Sequence, residues 1–218
     1  MTIRVVLVDD QALVRSGLRM LIDASDDMAV VGEAANGAEA LRLLGRVQAD
    51  VALMDVRMPT MDGVETTRQL VASGSPTRVL VLTTFDLDEY AFAALKAGAS
   101  GFLLKDARPD DLVSAIKAVA AGDAVVAPSA TRRLLDQVAQ RLPDVGDPKE
   151  DVLSTLTDRE REVLVEIARG ATNGEIGERL YMAEGTVKTH VGHLLAKLGC
   201  RDRVGLVLVA YETGLVRV

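Results

Sequence analysis

The amino-acid sequence predicts an α/β unit, a doubly wound five-stranded parallel sheet, followed by a separate all-α unit of four helices. Three observations support this. Short, near-continuous apolar runs alternate with stretches of helical period through residues 1–122, the pattern of parallel strands covered by helices on both faces. The alternation stops at Gly122. Beyond PDVGDPKED (143–151), whose Pro143, Gly146 and Pro148 break any regular element, only helical patterns remain.

Taken in order, residues 3–9 (IRVVLVD) form the first strand, and Leu13, Val14, Leu18, Leu21 and Ile22 set a helical period over 11–24. Further strands are expected at 28–35, 51–55, 78–83 and 101–104, with helices near 37–47, 63–73, 87–97 and 109–121. Pro109 suits the first turn of the last of these. Residues 128–142 read as a helix, with Leu134, Leu135, Val138 and Leu142 on one stripe. The division expected is 1–122, a linker at 123–151 that includes this helix, and 152–218. In the last unit, Thr157 with Glu160 and Thr172 with Glu175 match the capping box at a helix start. Helices follow near 158–169, 173–180, 184–198 and 202–213.

Of the 218 residues 49% are apolar but only 3% aromatic, so the cores must be aliphatic. No apolar run approaches the roughly 18 residues needed to cross a bilayer, and the short run in MTIRVVLVDD meets acidic residues too soon for a secretory signal. With a single cysteine, Cys200, a disulfide framework is excluded and a reducing cytoplasm is the expected location. The net charge of −7 argues at first against nucleic acid. It is unevenly spread: residues 1–150 carry 16 basic and 22 acidic side chains (net −6), and residues 151–218 carry 9 and 10 (net −1). Within 179–203, Arg179, Lys188, Lys197, Arg201 and Arg203 outnumber Glu184 and Asp202. A local basic patch matters more to DNA than the whole-chain sum, because fields are screened within about 8 Å at physiological salt.

In an open parallel sheet, ligands bind beyond the carboxyl ends of the strands, where the strand order reverses. The expected strands put Asp9 and Asp10 at the end of the first, Asp55 at the end of the third, Thr83 at the end of the fourth and Lys105 just past the fifth. Any one of these alone is an ordinary cap or surface charge; all of them at one sheet edge make a site. Three converging carboxylates need a cation, and hard oxygen donors with room for water favour Mg²⁺. With that metal and Lys105 holding phosphoryl oxygens, Asp55 can act as an in-line nucleophile.

VLVDDQALVRSGL, LMDVRMPTMDG, VLVLTTFD and GASGFLLKDA together resemble the four signature regions of bacterial response-regulator receiver domains, across residues 3–121. The resemblance implies a flavodoxin-like fold, Asp55 as phosphoacceptor, a sensor histidine kinase as donor, and Mg²⁺ held by Asp10, Asp55 and the backbone carbonyl of Arg57, with Asp9 acting indirectly. Thr83 is then the switch hydroxyl, Lys105 the essential lysine and Phe102 the switch aromatic, expected to turn inward as Thr83 moves. Two positions depart from well-known members: Arg57, two residues after the acceptor, and Asp106, where many receivers have Pro. The rival reading, a phosphatase with an Asp nucleophile, needs a carboxyl at position 57 to protonate a leaving group; an arginine cannot do so. Catalysis beyond self-phosphorylation and self-dephosphorylation is therefore not expected.

LTDREREVLVEIARGATNGEIGERLYMAEGTVKTHVGHLLAKLG (156–199) is similar to the LuxR-type (NarL-like) helix-turn-helix, which implies a transcriptional regulator bound to duplex DNA. On the helix over 184–198, Val187, Val191, Leu194, Leu195 and Leu198 form the inward stripe, leaving Lys188, Thr189 and Gly192 outward toward a major groove. Lys188 and Thr189 are the expected base contacts; Lys197 and Arg201 are expected near phosphates, with Arg203 in the same region but read as an ordinary solvated charge. His190 and His193 lack a third ligand and are expected on the surface or in packing. Gly174 replaces a lysine common in the family, Ala183 replaces the usual serine cap, and Gly192 interrupts the helix. The last two cost about 1 kcal/mol each. RNA or protein as the target is the alternative; sequence-specific RNA binders usually show stacking aromatics, whereas Tyr181 and Tyr211 are expected to pack between helices. A contact set this thin favours a phosphorylation-induced homodimer, through 202–213 or the receiver's own helices, on an inverted-repeat operator.

Overall fold

The computed structural model describes residues 2–83, 90–122, 125–126 and 153–216, which fall into two compact units, Met1–Val126 and Ala127–Val218. The linker helix expected over 128–142 lies outside the described residues, as does the segment 143–151. In the first unit, β1 (Ile3–Val8), β2 (Met28–Ala34), β3 (Val51–Asp55), β4 (Arg78–Thr83) and β5 (Gly101–Leu104) alternate with α1 (Ala12–Asp23), α2 (Gly37–Leu44), α3 (Gly63–Ala72), α4 (Tyr90–Lys96) and α5 (Pro109–Ala121). The strands pair in parallel in the order β2-β1-β3-β4-β5. A sixth strand, β6 (Val125–Val126), extends the sheet by pairing with Gly101 and Phe102. Its two residues, following Gly122 in the left-handed conformation at the end of α5, are too few to show a strand period.

The sheet is held by aliphatic burial on both faces. Val5, Leu7, Val51, Leu53, Leu80, Leu82 and Leu103 pack with Ile22 of α1 and with Leu112, Ala115, Ile116 and Val119 of α5. Alternate residues along the same strands point the other way. There Val6, Ala52, Met54, Val79, Val81 and Phe102 are also buried, and α2 and α4 contact the sheet. Each fully buried aliphatic side chain contributes about 1.5–3 kcal/mol relative to exposure. Truncating one such as Leu80 to alanine would cost about 2–5 kcal/mol. The apolar period of α1 is only partly spent on the core: Ile22 is buried, while Leu13 and Met20 face solvent.

Local chemistry starts the helices that frame the strand ends. Asn36 caps α2 by accepting from the Glu39 N–H, and Asp62 caps α3 by accepting from the Glu65 N–H at 2.8 Å. At Gly63 a Cβ would stand 2.1 Å from the carbonyl oxygen of Asp55, so only glycine lets α3 begin directly against the end of β3. Thr60, in the same loop, holds φ at +72°, a strained conformation for a β-branched residue.

In the second unit, α6 (Asp158–Ala168), α7 (Asn173–Leu180), α8 (Glu184–Leu198) and α9 (Arg203–Glu212) follow the expected order. Both capping boxes form, Thr157 with Glu160 and Thr172 with Glu175. Between α7 and α8 the chain turns tightly: Tyr181 takes the left-handed conformation (φ +55°), and a Cβ on Gly177 would meet the Met182 carbonyl at 2.7 Å. Val163, Leu164, Ile167, Ile176, Val187, Leu194, Leu206 and Ala210 form the core. Val191, Leu195 and Leu198 are half-buried, not fully inside as the stripe pattern suggests. Tyr211 is buried, its hydroxyl 3.4 Å from the Ala168 carbonyl, whereas Tyr181, expected to pack, is 96% exposed. Its place at a left-handed cap, outside the regular helix, aims the side chain away from the core.

Two buried carboxylates tie these helices together. Glu166 on α6 accepts from Arg169 at 2.7 Å and from Arg179 of α7 at 2.6 Å; burial alone would raise its pKa, but the two guanidiniums outweigh this and hold it low. Glu160 accepts from Lys197 of α8 at 2.7 Å and from the Thr157 N–H at 2.8 Å. Those two hydrogen bonds, the lysine's first, bring its pKa down from 4.5 to about 2. A lowered carboxylate pKa contributes stability that is fully present above the ordinary value and is lost as pH falls through the folded one. Glu160→Gln should therefore be less stable than the parent at pH 6, by up to about 3 kcal/mol. The gap should close between about pH 4.5 and 2, as read from paired denaturation curves of the two chains. A gap independent of pH would show that the Glu160 charge contributes nothing.

Candidate functional site

The strand order reverses between β1 and β3: the chain leaves β1 to lay β2 on one side and returns to lay β3 on the other. Asp9 and Asp10 follow β1 at that point, and Asp55 ends β3 opposite Leu82. Thr83 ends β4, and the Lys105 N–H donates to its carbonyl at 2.8 Å. All five polar residues expected at this sheet edge are therefore brought to it.

The side chains converge there. Lys105 donates through Nζ to Asp9 Oδ2 at 2.7 Å and lies 2.9 Å from Asp55 Oδ2. Asp9 and Asp55 are 1% and 5% exposed, so both carboxylates are largely removed from bulk solvent; Asp10 is exposed. Asp9 Oδ1 also accepts from the Gln11 N–H at 2.9 Å, and Asp55 Oδ1 from the Arg57 N–H at 3.4 Å. Burial pushes the Asp55 pKa up against the opposing pull of Lys105. For Lys105, burial acts downward but the hydrogen bonds and charges of Asp9 and Asp55 outweigh it, and its pKa is raised. The pair thus favours the charged ammonium of Lys105, while burial works against the charge on Asp55.

One lysine does not balance three carboxylates. Oxygen atoms of Asp9, Asp10 and Asp55 all lie within 4.8 Å of one another, the sole group among the described residues arranged to hold a metal ion. The donors are all carboxylate oxygens, two of them buried and one at the mouth, which fits a small hard cation that retains water. The Thr83 side chain is buried beside this edge. Phe102 was expected to turn inward on switching; here its ring is already inside, 2% exposed, on a strand flanked by Val81 and Val126.

One feature of the pocket mouth has no counterpart in the sequence reading. The Arg57 guanidinium carbon lies 5.0 Å from the centre of the Tyr90 ring, a cation–π contact. The two residues stand 33 positions apart, and no period or motif joins them.

On the second unit, Lys188, Thr189 and Gly192 of α8 are exposed on one face, as the helical period predicts. Lys188 lies 3.0 Å from Glu184, one turn back, and the Thr189 hydroxyl donates to the Gly185 carbonyl at 3.1 Å. Nothing lies within 4 Å of where a Cβ on Gly185 or Gly192 would stand, so this face presents bare backbone, and the same is true at Gly174 on α7. Ala183 begins α8 with no side-chain cap. Lys197 is engaged inward, by Glu160 and by the Thr155 carbonyl at 3.1 Å. Arg203 donates to Asn173 at 2.8 Å and to the Ala171 carbonyl. Arg201 is exposed. His193 lies 4.0 Å from Glu160, and His190 is half-buried with its Nδ1 atom enclosed; neither belongs to a metal-holding group among the described residues.

Comparison with known proteins agrees with both halves of this description. Residues 5–117 match the response regulator receiver domain, and residues 154–210 match the LuxR family of bacterial regulatory proteins. The chain is 40% identical over 99% of its length to the uncharacterized transcriptional regulatory protein YxjL of Bacillus subtilis, covering 98% of that protein. It is 39% identical over 96% of its length to the DNA-binding transcriptional activator DevR/DosR of Mycobacterium tuberculosis, covering 94% of it. The crystal structure of the response regulator ChrA, from a heme-sensing two-component system, matches with a TM-score of 0.52 and 36% identity across 99% of both chains. An acidic cluster at the switch point of a parallel sheet and a LuxR-type helix-turn-helix in one chain make this protein a member of the NarL/LuxR-type two-component response regulators, a class of DNA-binding transcriptional regulators.

Proposed function

We propose that the protein is switched by a phosphoryl group on Asp55, taken from a phosphohistidine of a sensor kinase, and that the switched form binds promoter DNA as a homodimer. The observation that carries the first part is the Lys105 ammonium held between the Asp9 and Asp55 carboxylates, with Asp10 at the mouth. A carboxylate oxygen of Asp55 attacks phosphorus, the phosphorus–nitrogen bond of the donor breaks, and its electron pair leaves on the imidazole. Lys105 stands where it can follow a transferred oxygen, and Thr83 supplies a hydroxyl at the next strand end. Mg²⁺, held by Asp10, Asp55 and the Arg57 carbonyl with Asp9 behind them, would neutralise charge on the transferring group. Self-dephosphorylation is the same site working on water.

For DNA, the exposed face of α8 carries the proposal: Lys188 and Thr189 toward base edges, Gly192 where the backbone can approach closely, and Arg201 toward a phosphate. Lys197 is better read as a brace, since Glu160 already takes its charge. Each good bidentate base contact gives about 1–3 kcal/mol of discrimination, and one domain has few. Two linked domains gain by effective concentration, on the order of 10² to 10⁴, which favours an inverted repeat read by a symmetric dimer. The half-buried Val207 and Leu208 of α9 are one candidate dimer surface.

Incubation with a small phosphodonor and Mg²⁺ should add one phosphoryl group by intact mass, labile to base as an acyl phosphate, and Asp55→Asn should abolish it because an amide is not a competent nucleophile. Undiminished labelling of that variant would place the acceptor elsewhere. In DNA titrations with protein of known oligomeric state, phosphorylated dimer should bind an inverted repeat at least about 10²-fold more tightly than monomer binds one half-site. Tight, selective binding of a half-site by unphosphorylated monomer would overturn the dimer reading, and Gly174→Lys with Ala183→Ser should narrow the difference.

A further inference from the structure

We propose that Arg57 is a charge-sensing arm: it rests on the Tyr90 ring while Asp55 is a free carboxylate, and it is drawn to the phosphoryl oxygens when Asp55 is loaded, releasing Tyr90 and the start of α4. The proposal rests on the reading of Asp55 as the phosphoacceptor.

The geometry supplies both ends of the movement. Arg57 is anchored at the acceptor, its N–H 3.4 Å from Asp55 Oδ1, and its exposed side chain crosses to Tyr90, the first residue of α4, with 5.0 Å between guanidinium carbon and ring centre. Tyr90 is 41% exposed, so the contact lies at the surface, where a cation–π pair shifts an equilibrium by only about 2- to 5-fold. A guanidinium facing a phosphoryl group forms charge-assisted, often bidentate bonds roughly twice as strong as neutral ones.

The electrostatics decide when it moves. Before loading, Lys105 lies between the carboxylates of Asp9 and Asp55, and the charge it leaves unbalanced would be met by the cation that Asp9, Asp10 and Asp55 are arranged to hold. Loading adds about −1.5 to −2 charge at the Asp55 oxygen, which that lysine cannot offset alone. Arg57 is the cationic side chain whose backbone touches the acceptor carboxylate, on a flexible stem whose planar head suits phosphoryl oxygens. Because leaving the ring opposes capture, ring contact and phosphoryl binding compete for one guanidinium and are thermodynamically linked.

That linkage gives a test that a merely structural role of Tyr90 would not mimic. The full chain, labelled with 3-fluorotyrosine, is titrated with beryllofluoride and Mg²⁺; fluorine resonances report bound beryllofluoride and the ring together, with Tyr90 assigned from Tyr90→Phe. The Tyr90 resonance should move as the bound signal grows. Tyr90→Leu should bind beryllofluoride about 2- to 5-fold more tightly, since Arg57 no longer has a ring to leave. In the Arg57→Gln background the same Tyr90→Leu change should have no effect, closing a double-mutant cycle. A Tyr90 resonance that stays put at saturation, affinity unchanged or weakened by Tyr90→Leu, or the same gain in the Arg57→Gln background overturns the arm while leaving Asp55 as acceptor. Failure of any bound beryllofluoride signal to appear in the parent chain overturns the acceptor reading itself, and the arm with it.

Discussion

Two buried carboxylates share one lysine at the point where the strand order reverses, and the geometry of the receiver answers to that constraint. Removing a carboxylate from water is costly unless partners replace the solvent. Asp9 and Asp55 meet the cost with a common ammonium at 2.7 and 2.9 Å, which requires that the ends of β1, β3 and β5 be fixed relative to one another. The aliphatic sheet does this. Val5 to Val8, Val51 to Met54 and Leu80 to Leu82 are almost wholly buried, and close-packed interiors do not deform continuously. Gly63 completes the fit by allowing α3 to start against the Asp55 carbonyl. The result is an Asp55 carboxylate positioned by the packed sheet against Lys105 and Asp9.

The two units use buried carboxylates to opposite ends. Glu160 is as enclosed as Asp55, yet its pKa is lowered where that of Asp55 is raised. For Asp55 burial is the largest influence, whereas for Glu160 the hydrogen bonds from Lys197 and Thr157 outweigh it. Glu160 takes hydrogen bonds from an ammonium, a backbone N–H and the Thr157 hydroxyl, so the charged form is fully served and chemically quiet. Asp55 has one shared ammonium and a long backbone contact. Incomplete satisfaction leaves a carboxylate able to take further positive charge, which is what the proposed role of Asp55 requires. Complete satisfaction suits a group meant to hold α8 in place.

What was legible in the sequence was whatever repeats at short range. The apolar runs located all five long strands, and the strand ends placed Asp9, Asp10, Asp55, Thr83 and Lys105 together, because a parallel sheet makes the end of each strand a fixed address. The capping boxes of α6 and α7 were equally plain, since each is a contact of one turn. What escaped was non-local or single-residue. The pairs Arg57–Tyr90, Glu160–Lys197 and Glu166–Arg179 join positions with no shared period. Tyr181 is exposed because of one left-handed residue, not because of its helix. The two-residue β6 is too brief to show alternation.

The same limit bears on how charge should be counted at the DNA-binding face. Five basic residues lie in 179–203, and a reading by composition would offer all of them to phosphates. Three already have internal work: Arg179 with Glu166, Lys197 with Glu160, and Arg203 with Asn173 and the Ala171 carbonyl. Lys188 has Glu184 one turn away. The cations that shape the helix-turn-helix are thus largely not the ones available to neutralise phosphates, and affinity driven by counterion release scales with the number that are. What the face offers instead is access: Gly185 and Gly192 leave the α8 backbone bare on the side of Lys188 and Thr189. A surface of this kind can approach a groove closely with few cations to hold it, which is the physical ground for proposing that two copies bind together.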